Sequence, residues 1–353
     1  MSKFLTKKLR GLEAYVPGEQ PKERKYVKLN TNESPFPPSE YARRIAAEQL
    51  EKLMLYPDPD CRELLDEIAF NADMGRENVI VSNGSDEVLN FAFMAYCDKD
   101  TPAVFPDITY GFYKVFADLN GVPSRILPLN DDFTIDLEAY KKEAGTVFIA
   151  NPNAPTGLAL PVEAIEKLLQ ANPNRVVVVD EAYVDFGGES CIPLTKKYDN
   201  LLVTQTFSKS RSLAGARLGF GVACKAIIDD LNKIKYSTNP YNVNRVTAAL
   251  GVGAIRDKEY FDACRLSVME ERKWTAEKLK EFGFTMTDSM ANFLFVRHEK
   301  IGGEELYLRL KEKGILVRHF KTDRIKDYNR ITVGSRAEME ALVTAIGEIV
   351  CER

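Results

Sequence analysis

Seven short apolar runs, near 79–82, 102–105, 124–127, 146–150, 175–180, 201–206 and 218–223, recur along the chain, with helical patterns such as 162–169 between several of them. This alternation constrains the fold more than any other feature, because strands joined through helices pair in parallel and are covered on both faces. The run Val176-Val177-Val178-Val179-Asp180 is continuous and β-branched, with no polar face, and reads as a buried parallel strand. The expected architecture is α/β, with a large domain built on a mostly parallel seven-stranded sheet flanked by helices. After about residue 245 the texture changes to long charged amphipathic helices, around 258–282 and 304–313, each followed by a short strand at 293–297 and 330–333. This second texture reads as a smaller α+β domain. At 353 residues the chain exceeds the size at which one core usually stops growing, so two domains are expected.

In open α/β sheets, ligand-binding groups gather at the carboxyl ends of the strands, and four segments there carry candidate chemistry. Thr206-Phe207-Ser208-Lys209-Ser210-Arg211, continuing to Arg217, sets a lysine beside hydroxyls and ahead of further cations. A lysine that forms a Schiff base needs its amine oriented by a loop, with anion donors nearby to hold a phosphorylated carbonyl cofactor. Taken singly, the run equally suits a solvated surface lysine. Asp180 ends its strand where a carboxylate can pair with a protonated pyridine nitrogen, and Tyr183 follows three residues later; capping of the next turn is the plainer reading of Asp180 alone. Asn151-Pro152-Asn153-Ala154-Pro155-Thr156-Gly157 follows an apolar strand with two X-Pro steps, which make a stiff loop able to aim an amide. Ser82-Asn83-Gly84-Ser85-Asp86 joins a strand to a helix, and the free N–H groups of that helix start make an anion site at Gly84, Ser85 and Asp86. Ser85 or Asp86 can at the same time cap the helix.

Together the four segments resemble the fold-type-I enzymes of pyridoxal 5'-phosphate, the aspartate aminotransferase superfamily, along nearly the whole chain. Within it, Gly11-Leu12-Glu13-Ala14-Tyr15-Val16-Pro17-Gly18, Leu29-Asn30-Thr31-Asn32-Glu33, Tyr56-Pro57-Asp58-Pro59, Pro106-Asp107-Ile108-Thr109-Tyr110 and Asn329-Arg330-Ile331-Thr332-Val333-Gly334 are more similar to the histidinol-phosphate aminotransferases. The resemblance implies pyridoxal phosphate as cofactor, with Lys209 as the Schiff-base lysine and the base of the proton transfer. Asp180 would hold the pyridine nitrogen, Tyr183 the ring hydroxyl, and Gly84, Ser85, Asp86, Thr206, Ser208 and Arg217 the phosphate. Tyr110 would stack on the ring, and Tyr56 would reach the cofactor of a neighbouring subunit, making the protein a homodimer with shared sites. Many relatives carry an asparagine where this chain has Ala154, and Asn153 is expected to supply the amide instead. Arg330 would clamp the substrate carboxylate in a two-pronged ion pair. Tyr15 and Arg318 would meet the substrate phosphate, and Asn32 and Asn239 would border the imidazole.

The implied reaction is transamination between L-glutamate/2-oxoglutarate and imidazole acetol phosphate/L-histidinol phosphate, in histidine biosynthesis. A threonine-phosphate decarboxylase or an aromatic aminotransferase would use the same cofactor residues with other outer contacts. The large domain is expected at 41–245, with 1–40 and 246–353 forming the small domain and an N-terminal arm. A regulator of transcription on this scaffold would carry a DNA-binding domain ahead of it, and this chain starts almost directly in the enzyme. A net charge of −4 offers no electrostatic case for nucleic acid. The six cysteines, Cys61, Cys97, Cys191, Cys224, Cys264 and Cys351, lie far apart and read as free thiols of a reducing cytoplasm. His298 and His319 have no second ligand at metal spacing, so no metal is expected. The basic N-terminus lacks a following apolar stretch, and no segment approaches a membrane span, which points to a cytoplasmic protein.

Overall fold

A computed structural model describes residues 2–352. In chain order the elements are β1 (Val27–Lys28), α1 (Glu40–Ala47), α2 (Arg62–Asn71), β2 (Val79–Ser82), α3 (Ser85–Tyr96), β3 (Ala103–Pro106), α4 (Phe112–Asn120) and β4 (Ser124–Leu127). There follow α5 (Leu137–Lys142), β5 (Thr146–Ala150), α6 (Val162–Ala171), β6 (Val177–Asp180), β7 (Leu201–Thr206), β8 (Gly219–Ala223), α7 (Lys225–Thr238) and α8 (Arg245–Arg256). The last third contains α9 (Lys258–Glu281), β9 (Phe284–Met286), β10 (Phe293–His298), α10 (Gly303–Glu312), β11 (Ile315–Leu316), β12 (Arg318–His319), β13 (Tyr328–Thr332) and α11 (Arg336–Cys351).

The seven expected strands form one sheet in the order β2-β8-β7-β6-β5-β3-β4. All neighbours are parallel except β8, which runs antiparallel to both β7 and β2. Because successive strand residues point to opposite faces, the apolar runs supply two cores at once. Val147, Ile149, Val177, Val179 and Val203 face α2, α6 and α8, whereas Phe148, Val178 and Leu202 face α3, α4 and α7. The helix α8, which follows residue 245, packs on this sheet through Val252 and Ile255.

A four-stranded antiparallel sheet, β12-β13-β10-β9, packs against α9, α10 and α11 through Val268, Leu279, Leu306, Leu342 and Ile346. The same core contains Leu29 and Tyr183, so it continues to the edge of the large sheet. Residues 27–28 pair in parallel with 315–316, which ties the N-terminal segment to this part of the molecule. Among the described residues, no helix is long and apolar enough to cross a membrane, and no group of His, Cys, Asp and Glu could hold a metal ion. The six cysteines are free.

Candidate active site

The register of the central strands sets Ala150, Asp180 and Thr204 in one row at the carboxyl edge of the sheet. Beyond that edge lies a cavity of about 130 Å³ lined by Ser85, Asp86, Tyr110, Ala150, Ala154, Asp180, Ala182, Tyr183, Thr206, Ser208, Lys209 and Arg217. Residues from four separated segments of sequence thus meet around one volume. A wider cavity of about 490 Å³ shares Tyr110, Ala154, Tyr183 and Lys209 with it and adds Tyr15, Asn32, Arg318 and Arg330.

At the floor of the inner cavity Asp180 is buried and accepts a hydrogen bond from the Tyr113 hydroxyl at 3.0 Å and one from Thr204 at 3.5 Å. Burial pushes its carboxyl up to about 7, against the lowering effect of the Tyr113 bond. A buried carboxylate without a cation holds its charge at a cost, so a positively charged ligand group would suit the site. Tyr113, on α4, carries no signal of its own in the sequence: it lies in the aromatic stretch 110–116 and reads as a core residue of an amphipathic helix.

The phosphate end is built from a glycine turn and a helix start. Gly84 has φ +76°, a conformation that favours glycine, and α3 begins at the next residue. A Cβ on Gly219 would lie inside van der Waals contact with the backbone of Gly84 and Ser85, so glycine there lets β8 approach the helix start. Arg217, also left-handed at φ 54°, pairs with Asp86 at 3.0 Å and approaches the Ser208 hydroxyl at 3.4 Å. The Thr206 hydroxyl lies 3.0 Å from that of Ser208. The Tyr110 hydroxyl donates to the second oxygen of Asp86 at 2.7 Å. The Asp86 carboxylate therefore balances Arg217, and an incoming phosphate would meet the N–H groups of Ser85 and Asp86 rather than that carboxylate.

Lys209 sits half-buried in the connection from β7 to β8, with its Nζ donating to the Thr31 carbonyl of the N-terminal segment at 3.3 Å. Burial, with help from nearby Arg330, brings its ammonium down to about 8. Part of the population is then the neutral amine near neutral pH, the form that attacks a carbonyl. The Tyr183 hydroxyl accepts from the Asn32 amide at 2.9 Å.

Arg330, on β13, is half-buried, and burial lowers its guanidinium from the usual range. Phe293 and Phe320 flank it with centroids 5.3 and 6.0 Å away; one Nη donates to the Asn30 carbonyl at 3.2 Å, and Nε is buried without a partner. Arg330 lines the outer cavity, where a planar guanidinium suits a carboxylate. Tyr15, stacked on Phe112 at 4.2 Å, and Arg318, 3.5 Å from the Val16 carbonyl, line the same outer cavity.

Other expected residues lie elsewhere. The Asn153 amide is spent on other contacts, donating to the Thr156 hydroxyl in its own loop and to the Ile108 carbonyl after β3 and accepting from Thr109, while Ala154 faces the cavity. Both X-Pro bonds of this loop are cis. Asn239 ends α7 and lines neither cavity, because its backbone closes the helix on Lys235. Tyr56 is 79% exposed and stacks on Tyr241 at 4.7 Å, away from the chain's own cavities. The contacts of Thr31, Asn30 and Thr332 with site residues join distant parts of the sequence and have no local signature.

Pyridoxal phosphate fits these residues. Its pyridinium answers the uncompensated Asp180, its phosphate the α3 start with Arg217, and its carbonyl the amine of Lys209.

Comparison with known proteins agrees. Residues 24–346 match the family model for aminotransferase class I and II. The chain is 48% identical over 352 residues to a histidinol-phosphate aminotransferase of Brachyspira hyodysenteriae, covering 99% of both chains. To the enzyme of that name from Clostridium botulinum strain Langeland it is 45% identical over 351 residues, again covering 99% of both. The fold matches a histidinol-phosphate aminotransferase from Sinorhizobium meliloti, solved with pyridoxal-5'-phosphate, with a TM-score of 0.88 at 23% identity, over 100% of this chain and 99% of that one.

Proposed function

The chain belongs to the class I and II aminotransferase family, and we propose that it exchanges an amino group between L-glutamate and imidazole acetol phosphate, giving 2-oxoglutarate and L-histidinol phosphate in histidine biosynthesis. The observation that carries this reading is the pairing of two neighbouring cavities. One is lined by Lys209 and Asp180, and the other is lined by Arg330 together with Tyr15 and Arg318. The full-length likeness to histidinol-phosphate aminotransferases supports the choice of substrate.

When bound, pyridoxal phosphate supplies an electron sink that stabilises the carbanion left when the amino acid loses its α-proton. Lys209 would provide the amine that holds the cofactor carbonyl, and the same amine would serve as the base that takes the substrate α-proton. A base positioned in this way contributes about 10²- to 10⁴-fold. Asp180 keeps the ring nitrogen protonated, and Tyr183 directs its hydroxyl to the ring oxygen. The N–H groups at the start of α3, the hydroxyls of Ser85, Thr206 and Ser208, and Arg217 hold the phosphate. Tyr110 covers the ring face. Arg330 clamps the carboxylate of glutamate, and Tyr15 with Arg318 receives the phosphate of the second substrate. The N-terminal segment lines the outer cavity through Tyr15, Asn30, Thr31 and Asn32.

The working form in this reading is a homodimer. Leu50, Leu53, Met54, Leu55 and Tyr56 stand between 56% and 81% exposed on one short segment, an apolar patch that calls for a partner. Tyr56 then reaches the neighbouring cofactor. The free thiols support a reducing, cytoplasmic setting.

The test is a single-turnover spectrum of the cofactor-loaded protein with histidinol phosphate alone. Loss of the visible cofactor band at low substrate, matched by glutamate and absent with phenylalanine or threonine phosphate, is expected. Conversion by phenylalanine would assign an aromatic aminotransferase, and release of carbon dioxide from threonine phosphate would assign a decarboxylase.

A further inference from the structure

The side chain at position 154 is a methyl group facing the cavity, and the neighbouring Asn153 amide is taken up by Thr156, Ile108 and Thr109. Tyr183 therefore has no amide beside it from that loop, yet its hydroxyl is not left alone. Asn32 donates to it at 2.9 Å from the other side. Asn32 is buried, with a left-handed backbone at φ 56°. Its backbone N–H donates to the Thr332 hydroxyl at 2.9 Å, the Thr332 hydroxyl donates back to its Oδ1 at 3.1 Å, and the Asn292 amide donates to its carbonyl at 3.0 Å.

The Thr332 hydroxyl accepts from the Asn32 N–H and donates to Asn32 Oδ1, and the NH₂ end of the amide faces Tyr183. Tyr183 accepts from that NH₂, which leaves its single proton free to be donated into the cavity. Thr332 lies two residues from Arg330 on β13, hence on the same face of the strand. Arg330 donates to the Asn30 carbonyl and Lys209 to the Thr31 carbonyl. Residues 30–32 thus touch the carboxylate clamp, the amine and the tyrosine in three consecutive positions.

We propose that Asn32 is a positioning residue that, anchored by Thr332, holds the Tyr183 hydroxyl as a proton donor toward the ring oxygen of the cofactor. The inference rests on the reading of the inner cavity as a pyridoxal phosphate site. A donor behind the tyrosine oxygen polarises the hydroxyl and strengthens the bond it gives. That bond stabilises the ring oxygen most when the Lys209-linked nitrogen is unprotonated and no longer shares its proton with that oxygen. Removing the Asn32 amide therefore makes the nitrogen harder to deprotonate.

The experiment is a pH titration of the visible cofactor band in holoenzyme variants, with kcat and KM measured beside it. Asn32→Gly keeps the left-handed backbone and removes the amide; its titration midpoint is expected to rise by about 0.5 pH unit, the share of a roughly 1 kcal/mol hydrogen bond, with kcat falling more than KM changes. Thr332→Val should move the midpoint the same way, and Thr332→Ser should restore it, so this pair carries the test if Asn32→Gly fails to fold. In a Tyr183→Phe background, Asn32→Gly should add no further shift. An unchanged midpoint in Asn32→Gly and Thr332→Val, or an equal further shift in the Tyr183→Phe background, would overturn the proposal. A wild type that binds no pyridoxal phosphate would instead overturn the reading of the cavity.

Discussion

At the scale of single residues, the site is organised by two groups, Asp180 and Lys209, held off their ordinary protonation. Asp180 sits near 7 because burial outweighs the Tyr113 bond. In the unfolded chain it would ionise near 3.9, so between about pH 4 and 7 the folded protein without cofactor holds a proton that the unfolded chain has released. Folding stability must therefore fall as pH rises through that window. Glu181, raised to about 7 in the same way, adds to the trend, and comparison with Asp180→Asn isolates Asp180. We predict that the cofactor-free wild type loses more stability between pH 5 and 8 than Asp180→Asn does, by on the order of 1–3 kcal/mol in urea melts; equal slopes would refute the assignment. Arg330→Lys should lower kcat/KM for glutamate about 30- to 100-fold, because a point charge replaces a planar fork; a change under threefold in steady-state assays would remove Arg330 from carboxylate binding. Asp180 and Lys209 stood out in the sequence because each ends or follows an apolar strand, where polar residues have no packing reason to be. Tyr113 and Asn30 gave no such sign. Tyr113 has the spacing of a core helix, and Asn30 acts through its backbone carbonyl, which every residue possesses.

At the scale of elements, the contact between β8 and the start of α3 decides whether the phosphate cradle exists. Gly219 pairs with Ser82 on one side and Thr206 on the other, so it lies between the two strands that feed the cradle. Gly219→Ala would push its methyl into the backbone of Gly84 and Ser85. We predict a stability loss of about 1–3 kcal/mol from this overpacking, with pyridoxal phosphate affinity at least tenfold weaker by equilibrium dialysis. A variant with wild-type affinity would show that the cradle tolerates a wider gap. The strands themselves were legible because a buried parallel strand needs a continuous apolar run. The antiparallel direction of β8 was not, since its run looks like the others and only the short connection from β7 constrains it. The role of α8 was equally hidden: its small residues Gly251 and Gly253 let it approach Leu218 and α1, a fit that depends on the partners rather than on its own pattern.

At the scale of the whole molecule, the exposed segment from Leu50 to Tyr56 bears on assembly. Replacing Leu53 and Met54 together by glutamate should dissociate the proposed dimer and reduce activity at least tenfold, as read by sedimentation at micromolar concentration; an active monomer would show each site to be self-sufficient. The composition announced none of this, because an exposed leucine and a buried one are the same letter. The Asn32 and Thr332 contact, finally, spans 300 positions of chain. Every strand of the large sheet lies between residues 79 and 223, so that sheet can condense while the C-terminal third is still being synthesised. Its inner cavity would then have Asp180 and Lys209 in place, but the loop above them would have nothing to fasten to. Closing so long a loop carries an entropy cost that only the finished small domain repays. The outer cavity, which needs Arg318 and Arg330, is thus the part of the site that waits for the C-terminal third of the chain.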